Sequence, residues 1–569
     1  MKKVLLGLLG VVVLAVGAIL LFFKNDAKDP YADSKSEQTT QKVVWGKFGA
    51  SCDAKDTPNK KHGSVFQKCD YSVPDKEIPT FTDASFDFVN RFDPKRSLPI
   101  MASAMFDIDG DGVDEVFIAG GVTQDDVLYK YKKGHFFDVT EEVKLPKKPA
   151  NTSTYGAVSF DLDSDGKTDL LVNGDYGLLW YRNTGEGFEV QKIDVPLNEK
   201  SVAASITIGD INRDGFADIF VSAYIKLDKM EGQTIFKDFN YGSSSLLMVN
   251  NGDNTFKDST AEYGLTYVHN TFMAVFVDVD NDQFLDLVVA HDTGEVRTYK
   301  NNEGKSFTKK SNPTTGKYAY PMGIAVGDYN NDGNIDFFFS NTGTSVPTFL
   351  AKGDLDEGDE FIGTWILFKN EGDFKFTDTA KETKVADFEF SWGAIFEDFN
   401  LDGRQDLVVA ENYVDFPPHK LFRLPGRFLV QREDGTFSAV EDQSNTINKN
   451  YGITPLSSDF NQDGYPDMVF ANIGSPMKAK INRGGDANFI AVRFAETTKN
   501  VGAKVTITKA DGSIQADVYV IGEGLVSDQT STITFGLGTA KEVVSMLINY
   551  ADGTSKTIKN PEINKIHKM

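Results

Sequence analysis

Seven short segments of this chain place acidic residues where their oxygens can converge. Asp107, Asp109, Asp111 and Glu115 form the first set, and Asp161, Asp163, Asp165 and Asp169 the second. The third is Asp210, Asn212, Asp214 and Asp218, and the fourth Asp278, Asp280, Asp282 and Asp286. Asp328, Asn330, Asp332 and Asp336 follow, then Asp398, Asn400, Asp402 and Asp406, and finally Asp459, Asn461, Asp463 and Asp467. The common template is Asp-x-Asp/Asn-x-Asp-Gly-x-x-Asp/Glu. Side chains at positions 1, 3 and 5 point at one centre, Gly at position 6 allows a sharp turn, and position 7 offers a carbonyl. The acid at position 9 closes the shell. Such an all-oxygen cage suits a hard cation, and its ligand number and flexibility favour Ca²⁺ over Mg²⁺. Zinc or copper would want His or Cys, which the loops lack. One copy would be an ordinary Asp-Gly turn with solvated acids; seven copies of one template are a design. The loops differ in detail. Gln283 replaces Gly in the fourth, which should strain that turn. Asp114 stands beside Glu115 as a competing ligand. The four loops with Asn at position 3 carry less negative charge and are expected to bind more weakly.

The loops begin 54, 49, 68, 50, 70 and 61 residues apart. Each follows an apolar run (GAVSF before Asp161, GAIFE before Asp398) and precedes another (VFIAG, LLVNG, IFVSA, LVVAH, FFFSN, LVVAE, MVFAN). The acidic loop is therefore a hairpin turn. Most repeats add a second hairpin with Asn-Gly-type punctuation, as in WYRNTGEGF from Trp180 and LVQREDGTF from Leu429. Two hairpins make a four-stranded sheet, and seven such sheets predict an all-β, seven-bladed β-propeller, with an extended solenoid as the rival. The FTDAS string from Phe81 resembles fourth-strand strings such as FKDST from Phe256. Residues 80–86 are thus expected to complete the seventh sheet and latch the ring. From about Asn488 the acidic repeat stops and short alternating strands predict a small C-terminal β-sandwich.

These loops resemble the FG-GAP/VCBS-type repeats of integrin α-chain propellers and of many bacterial surface proteins. The resemblance implies Ca²⁺ at positions 1, 3, 5 and 9 of each loop, up to seven ions. The C-terminal strings NVGAKVTIT from Asn500, GEGLVSDQ from Gly522 and INYADGTSKTIKN from Ile548 are similar to the ASPIC/UnbV domain, which follows such repeats in bacterial proteins and in the cartilage acidic protein family. Val526-Ser527-Asp528-Gln529 departs from the aromatic-Ser-Gln stretch of that family.

The net charge of −24, with 59 basic and 83 acidic residues, excludes the basic footprint of a nucleic-acid binder. The loops hold 24 carboxylates, and seven Ca²⁺ would bring −24 to −10. Val4 to Phe23 is an uninterrupted apolar run behind Lys2 and Lys3, long enough to span a bilayer. An uncleaved anchor is favoured over a cleaved signal peptide, with the rest of the chain facing the periplasm or cell exterior. The expected organisation is an anchor over 1–24, a tether over 25–78, the propeller over 79–487 and the sandwich over 488–569. Cys52 and Cys69 are expected to form a local disulfide, with two free thiols as the alternative.

The six His form no HExxH pair, and no GxSxG, P-loop or Cys/His pairing is present. His291 can face the central channel. The chain is therefore expected not to be an enzyme but a membrane-anchored recognition or adhesion module for an unidentified protein or glycan. A glycan-directed propeller enzyme and a passive scaffold are the alternatives. Insertions from Ile225, Thr344 and Tyr413 mix aromatics with charges, the composition of recognition surfaces, although extended strands or local packing would explain them equally.

Overall fold

Apolar runs of four to nine residues on either side of each acidic loop pair antiparallel. In the second repeat Thr154–Phe160 and Asp169–Gly174 are joined by Gly177–Asn183 and Phe188–Ile193 in one four-stranded sheet. The computed structural model describes residues 77–230, 242–343, 360–412 and 423–569, with two short paired strands at Thr57–Pro58 and Cys69–Asp70. The expected anchor over 1–24, most of the tether with Cys52, and the middle of each of the three insertions lie outside the described residues. Among the described residues no helix is long and apolar enough to cross a membrane.

Each acidic loop lies in such a four-stranded antiparallel unit. The first two strands are almost wholly buried and the fourth is largely exposed, as in Phe188–Ile193. Inner strands lie between neighbours on both faces, so they read as continuous apolar runs rather than as alternation. Gly393 shows how close the neighbours come, since a Cβ there would stand 2.7 Å from the Ile453 carbonyl. Ser103–Phe106 touches Thr154–Phe160, which touches Ser201–Gly209, and so to Thr271–Val277. Ile324–Gly327 touches Ser391–Glu397, then Tyr451–Ser458, which returns to Ser103–Phe106. The unit of the last loop takes its fourth strand from the other end of the chain: Phe81–Phe86 pairs antiparallel with Lys478–Asn482 and, through Ser85 and Phe86, parallel with His135 and Phe136. The first and last units thereby join in one sheet.

The C-terminal strands form two sheets. Asn488–Arg493 lies between Thr532–Gly538 and Ile566–Lys568, while Lys504–Lys509 and Val543–Asn549 pair centrally with Ile514–Val518 and Ser555–Lys559 outside. They do not stand apart from the repeats. Ile490, Val492, Val505 and Tyr519 share one apolar cluster with Val158, Phe160, Ile206 and Ile208 of the inner strands.

Candidate metal centres

The seven loops share one backbone. Position 6 has φ of 85–91° at six glycines, and Gln283 holds φ 68° in the fourth loop, the left-handed strain that its side chain implies. Position 4 is left-handed as well, at φ 56–75°, in all seven, whether Gly110, Ser164, Arg213, Asn281, Asn331, Leu401 or Gln462. The template did not reveal this, because no residue type marks position 4. The N–H of position 6 donates to the position 1 carboxylate at 2.7–2.9 Å, and that of position 7 to position 5 at 2.9–3.0 Å. In the second, third, fourth, sixth and seventh loops the position 9 acid accepts the position 2 N–H and one from the third strand, as Asp169 does from Leu162 and Asn183.

Three loops bring carboxylates together directly: Asp107, Asp109 and Glu115; Asp161, Asp163 and Asp169; and Asp278, Asp280 and Asp282 each place oxygens within 4.8 Å of one another. Asp214, Asp218, Asp328, Asp332, Asp336, Asp398, Asp402, Asp406, Asp459, Asp463 and Asp467, with Asn212, Asn330, Asn400 and Asn461, take the same backbone positions in the other loops. These acids are held under electrostatic strain. Burial, with neighbouring carboxylates adding to it, pushes Asp218 to about 8, Asp328 and Glu115 to about 7, and Asp169, Asp278 and Asp459 to about 6. Asp107 Oδ1, Asp163 Oδ1 and Asp280 Oδ1 are buried without a hydrogen-bond donor. Buried acceptors lacking donors, ringed by carboxylates, fit a hard divalent cation held by positions 1, 3, 5 and 9. Such an ion would supply positive charge beyond the single Lys or Arg that pairs with each of these three loops.

Asp114 does not compete for the first cage. It turns away to accept Ser458 Oγ and Thr530 Oγ1, both at 2.6 Å, and to pair with Arg493. Arg493 belongs to the C-terminal region, which reaches every loop. Arg493 donates to the Gly112 carbonyl at 3.0 Å, and the Asp161 N–H donates to the Glu496 carbonyl at 2.8 Å. Arg213 donates to the Ala551 carbonyl at 2.8 Å, Lys504 to Asn281 Oδ1 at 2.6 Å and to the Gly333 carbonyl, and Gln515 to the Gly403 carbonyl at 3.1 Å. The Phe489 ring lies against Gly464.

The stretch from Ile521 to Gln529, which includes the departure from the family pattern, runs between the innermost strands. Gly524 exchanges both backbone hydrogen bonds with Ile324, and Ser527 and Asp528 pair parallel with Ser103 and Ala104. Asp528 accepts Ser159 N–H at 2.9 Å, Ile521 C=O accepts Thr207 Oγ1 at 2.7 Å, and Gln529 Oε1 accepts Ser457 N–H at 3.2 Å. The Val526 N–H donates to Met273 Sδ at 2.9 Å. Ile395, Phe396 and Glu397 of the remaining inner strand line, with Glu523 and Gln529, a cavity of about 50 Å³.

The opposite ends of the sheets are irregular. His291 lies at the end of Asp286–His291 away from the acidic loop, its ring 5.1 Å from that of His269. Burial lowers both imidazoles below their usual range. The Arg297 guanidinium covers Tyr267 at 3.2 Å. Two units on, Arg427 is buried against Glu389 at 2.6 Å, Glu441 at 2.5 Å and Glu411 at 3.6 Å.

An FG-GAP-like repeat model matches residues 107–172, 161–221 and 278–339, and an ASPIC and UnbV model matches 495–569. Cartilage acidic protein 1 of Xenopus tropicalis is 24% identical over 351 residues, 56% of this chain and 49% of that protein. The Homo sapiens protein is 24% identical over 342 residues, 56% and 48% of the two chains, and the Mus musculus protein 21% over 506 residues, 81% and 72%. The chain thus spans about half the length of the frog and human relatives. The chain carries FG-GAP-like repeats and a C-terminal segment matching ASPIC and UnbV, and it is similar to cartilage acidic protein 1.

Proposed function

We propose that this chain is an exported, calcium-loaded seven-bladed propeller that acts as a non-catalytic recognition or adhesion module. Its binding surface lies at the ends of the sheets opposite the acidic loops. The loops take up to seven Ca²⁺, and the apolar run from Val4 to Phe23 anchors the chain with the remainder facing the periplasm or cell exterior. The observation that carries this reading is the coverage of every acidic loop by the C-terminal region. A face that is covered from within the chain serves to hold the fold together. The other end is left for a partner, and recognition surfaces are built on loops held by a rigid scaffold. The three insertions leave the sheets at that end, after Ile225, Phe339 and Glu411. The names of the relatives, which refer to cartilage, support export.

The test is a panel of glycans and purified cell-surface proteins presented to the full chain in calcium and in EGTA. A ligand retained in calcium and lost on Arg297→Ala but not on Lys504→Ala supports this reading. Turnover of a glycan or ester that survives Asp→Asn changes in the loops would replace it with the enzyme alternative. Retention of nothing would leave the scaffold.

A further inference from the structure

The strand register fixes which residue of each third strand faces position 9 of its loop. Lys130 faces Glu115. By continuation of the pairing, Arg182 faces Asp169, Val249 faces Asp218, Lys300 faces Asp286, Lys369 faces Asp336, Val430 faces Asp406 and Ile481 faces Asp467. The pattern follows position 3. The three loops with Asp there, the first, second and fourth, all face a Lys or Arg. Three of the four with Asn there face Val or Ile.

The contacts explain the match. Lys130 Nζ stands 2.6 Å from Asp109, 2.8 Å from Asp111 and 2.8 Å from Glu115, inside the first cage. Lys300 pairs with Asp280 and, at 2.8 Å, with Asp282. Arg182 pairs with Asp163 and lies 3.6 Å from Asp165. Where Asn replaces Asp, its own amide serves: Asn212 donates to Asp214 at 2.9 Å and Asn461 to Asp463 at 3.0 Å. Among the described residues no Lys or Arg pairs with the carboxylates of the third or seventh loop. Four carboxylates with one tethered cation carry the same net charge as three carboxylates facing an aliphatic residue, so counting acids does not rank the loops.

We propose that Lys130, Arg182 and Lys300 are tethered counter-cations that make the first, second and fourth loops a separate, weaker class of calcium site than the third and seventh. The ammonium or guanidinium occupies the place that a divalent ion needs, and it must swing out before the ion can enter. An extra carboxylate at position 3 thus adds competition rather than affinity, which reverses the ranking expected from acid count. The inference rests on the calcium reading above.

Calcium titration of the full chain, by calorimetry with native mass spectrometry for stoichiometry, tests it. The wild type should show two classes of site. Lys300→Met should move one site to the tight class, tightening it about tenfold. Val249→Lys should move one site the other way by a similar factor, and it keeps the test open if Lys300→Met does not fold. Unchanged or weaker binding in Lys300→Met, or an unchanged titration in Val249→Lys, overturns the inference. Bound ions with unaltered variants would sink this inference alone, whereas no bound calcium would sink it together with the calcium reading.

Discussion

The two ends of each sheet are built on opposite principles. At one end seven loops repeat the same turn, the same two left-handed positions and the same carboxylate pattern, and a single C-terminal region lies across all of them. At the other end the fourth and sixth units differ: one buries two imidazoles side by side, the other buries an arginine among three glutamates. Repetition belongs to the end that assembles the molecule. Variation, free of that duty, belongs to the end where specificity can be written.

If that division holds, calcium should act on one end only. Each ion that binds only the folded state adds about 2.7 kcal/mol when present at about a hundred times its dissociation constant. Excess EGTA should therefore lower the melting temperature by about 10 °C or more, as read by calorimetry. The far end should be indifferent. Arg427→Met strands Glu389, Glu411 and Glu441 in the interior and should cost about 3–5 kcal/mol in urea unfolding, by the same amount in calcium and in EGTA. A cost that changed with calcium would couple the two ends.

A smaller effect comes from Asp528 in the axial stretch. Burial lifts it from 3.8 to about 7. Below pH 3.8 the proton is bound in both the folded and unfolded chain. As pH rises toward 7 the unfolded chain releases it while the folded chain retains it, so the contribution to stability is lost over that window. Asp528→Asn lacks this titration. Its stability relative to wild type should rise between pH 4 and 7, on the order of 2 kcal/mol, in denaturation curves at several pH values. The smallest change is Gln283→Gly, which should relieve the left-handed strain of the fourth loop and stabilise the chain by about 0.5–1 kcal/mol at thermal denaturation.

Much of the repeated end was legible in the sequence, because a nine-residue loop is local and its spacing is its geometry. The strand at Phe81–Phe86 was legible for the same reason, since it resembles its counterparts in other repeats. What joins the ends of the molecule was not legible. Arg493 meets Asp114, and Asp528 meets Ser159, across hundreds of residues, and nothing in the periodicity of either segment announces the other. Asp114 looked like a competing ligand because the sequence shows its neighbour but not the guanidinium it faces. The cations of the third strands lay in plain view at Lys130, Arg182 and Lys300, but only the strand register aligns them with their loops.

Hydrogen exchange followed by mass spectrometry, in calcium and in excess EGTA, tests the division most directly. The account predicts that protection falls in EGTA across the acidic loops and in the stretch from Ile521 to Gln529, while the buried far end of Asp406–Glu411 keeps its protection in the same sample. Exchange that is identical in the two conditions, or that rises equally at both ends, would contradict it.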